Sequence, residues 1–220
     1  MRAILAPAIL ALAACAGSAP APEWQPRAHG ALRNFEAAWL GGQSRLAEQE
    51  FARARASLSA TGRADLVARA ELVRCAARVA SLDFDDCPGF GKIAGDAPAP
   101  ERAYAAYLAG RARGEDIALL PAQHRSVAAG GDEMLAAIED PFSRLIAAGV
   151  LFREGRATPT TIVTAVETAS AQGWRRPLAA WLGVQARRAE AAGERDAAAA
   201  IRRRLDLVTG EDISRQEPRR

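Results

Sequence analysis

Apolar residues recur along this chain at the three- and four-residue spacing of amphipathic helices, and alternating strand-like segments are nearly absent. One periodic stretch has apolar side chains at Ala47, Phe51, Ala54 and Leu58. The following stretch keeps the same period at Leu66, Ala70, Val73, Ala77 and Ala80. The pattern predicts two neighbouring helices that pack against each other.

Turn residues divide the rest of the chain into short segments. Gly41-Gly42 and Thr61-Gly62 separate the first helices, and a stretch rich in Pro, Gly and Asp covers residues 83–100. Prolines begin two later helices, at Pro141 and Pro159, and Pro177 lies near the start of a third. We therefore predict an all-α fold of eight or nine short helices stacked as helical hairpins, either an α-solenoid or an irregular helical array.

Composition agrees with a helical domain. The chain has 220 residues, of which 50% are hydrophobic, 25% charged and 5% aromatic. It contains 54 Ala, 28 Arg and a single lysine, Lys92. Ala and Arg both favour helix, and these values exclude gross disorder, collagen-like repeats and disulfide-dense scaffolds.

The segment that begins at the Gly41-Gly42 turn between the first two helices resembles a tetratricopeptide repeat. Gly42, Ala47, Phe51 and Ala54 have the small, small, aromatic, small spacing of that motif's turn and second helix, where small residues let helices approach closely. The match covers about one repeat, and no period of about 34 residues continues through the centre. The resemblance implies a degenerate, TPR-like helical array, and an ordinary irregular helical domain is the alternative.

The first residues have the layout of a secretory signal. Met1-Arg2 is a positive start, residues 3–12 form an apolar run, and small residues precede Cys15. The run is too short for a permanent membrane span. Leu12-Ala13-Ala14-Cys15 resembles the lipobox of bacterial lipoproteins, an aliphatic residue and two small residues before a cysteine.

The lipobox resemblance implies cleavage before Cys15, so that residues 1–14 are the signal peptide. Cys15 would then carry a diacylglyceryl group and an N-acyl chain such as palmitate, which together anchor firmly. Because Ala16 and not Asp follows, the resemblance implies the outer membrane, facing the periplasm, with the inner membrane as the alternative. Export with an unmodified Cys15 is the other possibility.

The remaining chain divides into three parts. Residues 15–28 contain Pro20, Pro22 and Pro26 and are predicted to form a Pro/Ala-rich tether behind the lipid. Residues 29–209 form the helical domain, and residues 210–220 form a charged C-terminal tail.

Two cysteines remain, Cys75 and Cys87, and an even number in an exported protein predicts one disulfide. The bridge would close a short loop and contribute about 3 kcal/mol. A reactive thiol or a metal-binding pair is the alternative. It would need partner ligands, and the chain has only two histidines, His29 and His124. The acidic turn at Asp83, Asp85 and Asp86 is either a candidate cation site or a solvated loop.

Motifs for catalysis are missing from the sequence. It has no Gly-x-Ser-x-Gly elbow, no phosphate-binding glycine loop and no His-Glu-x-x-His. A carboxylate pair for peptidoglycan cleavage stays open, although Glu133, Glu139 and Asp140 also fit helix ends. We predict a non-enzymatic protein with no cofactor and no metal.

Positive charge concentrates near the C-terminus. Residues 174–220 carry 11 basic and 7 acidic residues, whereas residues 15–173 carry 17 and 19. The candidate partner contacts are Trp174, Trp181, Arg175, Arg176, Arg202, Arg203 and Arg204. The tryptophans would anchor a peptide and the arginines an acidic partner or lipid phosphate, unless the tryptophans are core and the arginines a solvated face.

These features predict a membrane-anchored, helical protein-interaction scaffold, or an accessory factor of an envelope assembly or secretion machine. Its expected partners are envelope proteins, with peptidoglycan or anionic lipid as alternatives, and nucleic acid is not expected. The competing hypothesis is a peptidoglycan-binding or peptidoglycan-acting envelope protein.

Overall fold

The computed structural model describes residues 22–210, and this part of the chain is entirely helical, without a β-strand. The α-helices are α1 (Trp24–Leu40), α2 (Ser44–Ser59), α3 (Ala64–Ala80), α4 (Pro88–Gly91), α5 (Ala99–Leu108), α6 (Glu115–Leu119), α7 (Ala122–Ala129), α8 (Pro141–Arg153), α9 (Pro159–Ala171), α10 (Arg175–Ala191) and α11 (Arg195–Thr209). Two short 3-10 helices cover Ala94–Asp96 and Asp132–Ala137. The all-α prediction is confirmed.

The described residues form more helices than the eight or nine predicted. Residues 83–100, predicted to be a loop, contain α4 and the first 3-10 helix. Residues 115–129 form two helices, α6 and α7, that are interrupted at Pro121, because a proline disfavours helical backbone in the residue before it. Leu120 accordingly adopts an extended conformation, with φ −65° and ψ 155°.

The helical domain also begins earlier than predicted. Helix α1 begins at Trp24, so residues 24–28, assigned to the tether from the sequence, are helical, and Ala28 is buried. Pro26 is tolerated there because N–H groups in the first turn of a helix have no intrahelical partner. Residues 1–21 and 211–220 lie outside the described part, and with them the predicted signal peptide, Cys15 and all of the predicted tail except Gly210.

Helices α2 and α3 pack on each other, as the apolar pattern predicts, and α1 and α2 form a hairpin. Gly42 has φ +86°, a left-handed conformation that favours glycine, and the next N–H, that of Gln43, donates to the carbonyl of Ala38 over 2.8 Å. Ala47 and Ala54 are fully buried in the interface. The rings of Phe35 and Phe51 meet there with centroids 5.4 Å apart.

Later helices pack in chain order as well, α8 on α9, α9 on α10 and α10 on α11. Contacts between distant parts of the sequence close the array, because α3 packs on α8 and α10 touches α1. In an open solenoid each repeat contacts only its neighbours. Of the two predicted arrangements, the described residues therefore form the irregular helical array.

The C-terminal end of α3 is the centre of the fold. The indole N–H of Trp39 donates to the carbonyl of Ala77 over 3.0 Å, and that of Trp181 donates to the carbonyl of Ala80 over 3.2 Å. The last carbonyls of a helix have no intrahelical N–H donor. The carbonyl of Ala77 also accepts from the Ser81 hydroxyl over 3.0 Å, whereas the indole of Trp181 satisfies the carbonyl of Ala80, which burial would otherwise leave unpaired. Helices α1 and α10 are fixed to α3 by the two indole contacts.

None of the helices between residues 22 and 210 combines the length and the apolar character needed to cross a membrane.

Candidate functional site

An open groove of about 450 Å³ lies between α3, α5 and the junction of α6 with α7. Its walls are mainly apolar and come from all of these elements: Leu72, Val73, Pro100, Tyr104, Leu119, Leu120 and Pro121. Leu119 is 41% exposed and extends the apolar surface at the edge of the groove. Three ionisable side chains complete the lining: Arg69, Glu101 and Arg125.

The break at Pro121 shapes one wall of this groove. Helix α6 ends at Leu119, and the extended backbone of Leu120 turns the chain before α7 begins. The Nε of Arg125 donates to the carbonyl of Leu120 over 2.8 Å and holds the turn. The break therefore leaves Leu119 at the surface while Leu120 is fully buried.

Glu101 is a buried carboxylate in the wall of the groove. It lies in the first turn of α5, and only 7% of the residue is exposed. Its Oε1 accepts a hydrogen bond from the Nε of Arg69 over 2.6 Å. Its Oε2 is also buried and has no hydrogen-bond partner among residues 22–210. A buried acceptor without a donor is unusual in a folded protein.

Aromatic side chains support the groove from behind. The ring centroid of Tyr104 is 5.7 Å from that of His124, and the Tyr107 hydroxyl lies 3.3 Å from His124 Nδ1. His124 is 1% exposed, and this burial lowers its pKa to about 4. Burial also raises the pKa of both tyrosines. All three groups are therefore uncharged at neutral pH.

Acidification is expected to destabilise the fold through His124. Its folded-state pKa of about 4 is below its ordinary value of 6.5, so its contribution to stability is fully present above pH 6.5 and is lost as the pH falls toward 4. Urea unfolding at pH 7 and at pH 4.5 measures how much the free energy of unfolding falls on acidification. This fall should be about 2 kcal/mol smaller in His124→Gln than in the unmodified chain. The exposed His29→Gln variant is the control and should behave like the unmodified chain. An equal loss in both variants would show that His124 is accessible.

The two tryptophans predicted as partner contacts have different surroundings. Trp181 is fully buried, and its ring meets Phe152 edge-on with centroids 5.7 Å apart. The prediction of a partner contact is therefore wrong for Trp181, because α3, α8 and α10 cover it. Trp174 lies at the N-terminus of α10, half-buried and edge-on to Phe142.

The first two arginines of the predicted contact set hold parts of the fold together. Arg176 donates through Nε to the carbonyl of Trp39 over 2.7 Å, and its guanidinium lies 4.1 Å from the centroid of the Trp39 ring. Arg175 donates to the carbonyl of Val208 over 3.1 Å. Arg176 thus fixes α10 to the end of α1, and Arg175 fixes it to the end of α11.

The remaining three arginines lie on the exposed face of α11. Arg202 forms an ion pair with Glu190, and Arg204 donates to the hydroxyl of Ser170 over 2.9 Å. Arg203 is exposed. Two of these three charges are therefore engaged within the chain, the arrangement expected of a solvated helix face.

The structure brings the two predicted disulfide partners together. The Cα atoms of Cys75 and Cys87 are 5.5 Å apart, within the usual range for a disulfide. Asp85 lies close enough to complete a set of three metal-ligand atoms with these sulfurs. Sulfurs bonded to each other offer no thiolate, so the set has the chemistry of a covalent link and not of a metal site.

Arginines accompany each carboxylate of the acidic turn. Arg78 lies 3.1 Å from Asp83 and 3.0 Å from Asp85, and Arg153 lies 3.1 Å from Asp86. These ion pairs supply the positive charge that a bound cation would otherwise bring.

Sequence reasoning missed the groove and Glu101. The spacing of Tyr104, Tyr107 and Leu108 predicts an apolar face for this helix, and Glu101 lies one turn before Tyr104. A glutamate in a first turn ordinarily faces solvent and complements the helix dipole, so its burial carries no sequence signal. No protein-family model, curated protein or solved structure matches this chain, so the groove's own chemistry must indicate a function.

Proposed function

We propose that this protein is a non-enzymatic binding module that holds an apolar segment of a partner protein in the groove between α3, α5 and α6. The observation that carries the proposal is a groove of about 450 Å³ with mainly apolar walls and a few polar groups. Pockets that bind ligands combine these properties. The exposed Leu119 adds apolar surface that a bound segment would remove from water.

The proposal includes an envelope location, with the chain anchored through Cys15 to the outer membrane or, alternatively, the inner membrane. It is supported by the lipobox-like residues Leu12 to Cys15 and by the cysteine pair, which suits an oxidising compartment. In that location the module acts as a helical protein-interaction scaffold or as an accessory factor of an envelope assembly or secretion machine.

Mass spectrometry of the mature N-terminus tests the anchor. The expected result is a chain that begins at Cys15 and carries both a diacylglyceryl group and an N-acyl group. In the Cys15→Ser control neither group is expected and the chain should leave the membrane fraction. An unmodified Cys15 in the mature chain would contradict the anchor without affecting the groove.

Site-specific photocrosslinking in cells tests the groove. A photoreactive residue is placed at Leu119, inside the groove, or at Leu207 on α11, which is outside the groove and 70% exposed. We expect a discrete protein adduct from position 119 and none from position 207. A synthetic peptide that covers the crosslinked partner segment should then bind the purified chain directly.

Charge substitution at the same positions completes the test. Leu119→Arg should weaken peptide binding at least about tenfold, which corresponds to about 1.4 kcal/mol, and Leu207→Arg should leave binding unchanged. Equal effects at both positions would contradict the groove as the binding site. Adducts that contain only peptidoglycan or lipid would favour the peptidoglycan-binding hypothesis instead.

A further inference from the structure

We infer that the groove recognises an indole ring, the side chain of a tryptophan in the partner segment, whose N–H donates to Oε2 of Glu101. The inference rests on the proposed function and specifies which apolar group the groove selects.

The first argument is the unsatisfied acceptor. Glu101 is buried except for 7% of its surface, and Arg69 engages only Oε1. Oε2 has no donor among residues 22–210. A ligand that brings an N–H group to this oxygen gains a charge-assisted hydrogen bond, and the gain is large because the oxygen is already desolvated. Oε2 is closed to solvent in this structure, so a ligand reaches it only when a neighbouring side chain such as that of Arg69, which is 63% exposed, moves aside.

The second argument is the chemistry of the walls. Tyr104, Pro100 and Leu72 offer ring and aliphatic surfaces suited to a large flat group. Indole has one N–H donor and no acceptor, so it matches a site with one free acceptor. Arg69 and Arg125 at the groove attract the face of an aromatic ring and repel a lysine or arginine side chain.

The third argument is that the same pairing occurs twice in the core. The indole N–H groups of Trp39 and Trp181 satisfy the buried carbonyls of Ala77 and Ala80 over 3.0 and 3.2 Å. In both cases a large apolar ring fills space between helices while its single donor meets a buried oxygen. Glu101 presents a third such oxygen, and it lies beside a groove.

Two small probes that differ only at the nitrogen test the inference. The full chain carrying Cys15→Ser is titrated with indole and with 1-methylindole, and the dissociation constants are obtained from NMR shifts of Tyr104 and Leu119. Indole is expected to bind at least about tenfold more tightly, the size of one well-placed hydrogen bond to a charged group.

Replacing Glu101 isolates the contribution of the hydrogen bond. In Glu101→Gln, indole should lose this advantage and the two probes should bind with similar affinity. Glu50→Gln is the matched control, because Glu50 is also buried and paired with an arginine but lies outside this groove, and it should preserve the tenfold preference. Unchanged thermal unfolding of both variants shows that the fold is intact.

The possible outcomes separate this inference from the proposed function. Equal binding of the two probes to the unmodified chain, abolished by Leu119→Arg, would overturn the role of Glu101 and leave an apolar groove. A partner peptide that binds through Leu119 but contains no tryptophan would also overturn the inference alone. If neither indole nor 1-methylindole binds, and crosslinking at position 119 yields no protein adduct, both proposals are overturned.

Discussion

Replacing Trp181 with alanine is expected to lower the free energy of unfolding by about 4 kcal/mol. The side chain is fully buried where α3, α8 and α10 meet, and its loss leaves a cavity against Phe152. It also removes the indole N–H that serves the carbonyl of Ala80, which is 3.2 Å away. Chemical denaturation followed by far-ultraviolet circular dichroism, which reports helix content, measures the change.

Two further substitutions resolve the origin of this loss. Trp181→Phe keeps most of the volume and removes the N–H donor with part of the ring, so it should cost about 1–3 kcal/mol. Trp174→Ala, at the half-buried N-terminus of the same helix, should cost less than Trp181→Ala. If Trp174→Ala were the more damaging variant, the placement of Trp181 at the centre of the core would be contradicted.

The local features of the fold could be predicted from the sequence. The hairpin of α1 and α2 follows from the helical spacing of Ala47, Phe51 and Ala54 and from Gly42, which adopts the left-handed turn. The starts of α8 and α9 follow from Pro141 and Pro159. A proline suits the first turn of a helix because the N–H that it lacks would have no partner there. These features depend on residues within one or two turns of each other.

The tertiary environment of single residues could not be predicted in this way. Helical spacing places Trp174 and Trp181 on one face but does not say whether another helix covers that face. Only the packing of α3 and α8 shows that Trp181 is core. The burial of Glu101 likewise depends on α3, whose Arg69 is 32 residues away in sequence. The candidate groove therefore came from the structure, and only its helices from the sequence.

Gly149 provides the second large effect, because a substitution that favours an isolated helix should here destabilise the protein. Gly149→Ala is expected to cost about 3 kcal/mol, since a Cβ at this position would lie 2.3 Å from the carbonyl oxygen of Val79 on α3. That oxygen belongs to the backbone, and the indole contacts to Ala77 and Ala80 fix α3 on both sides of it. Helices α3 and α8 would have to separate to make room.

Gly183→Ala in α10 is the matched control for this prediction. A Cβ there would meet only the end of the Arg187 side chain, at an ordinary contact distance of 3.5 Å. Because alanine favours helix over glycine by up to about 1 kcal/mol, Gly183→Ala should be neutral or stabilising. Opposite signs for the two variants in urea denaturation would confirm the close approach of α3 and α8. A neutral Gly149→Ala would mean that these helices lie farther apart, and the closed arrangement of the array around α3 would then be wrong.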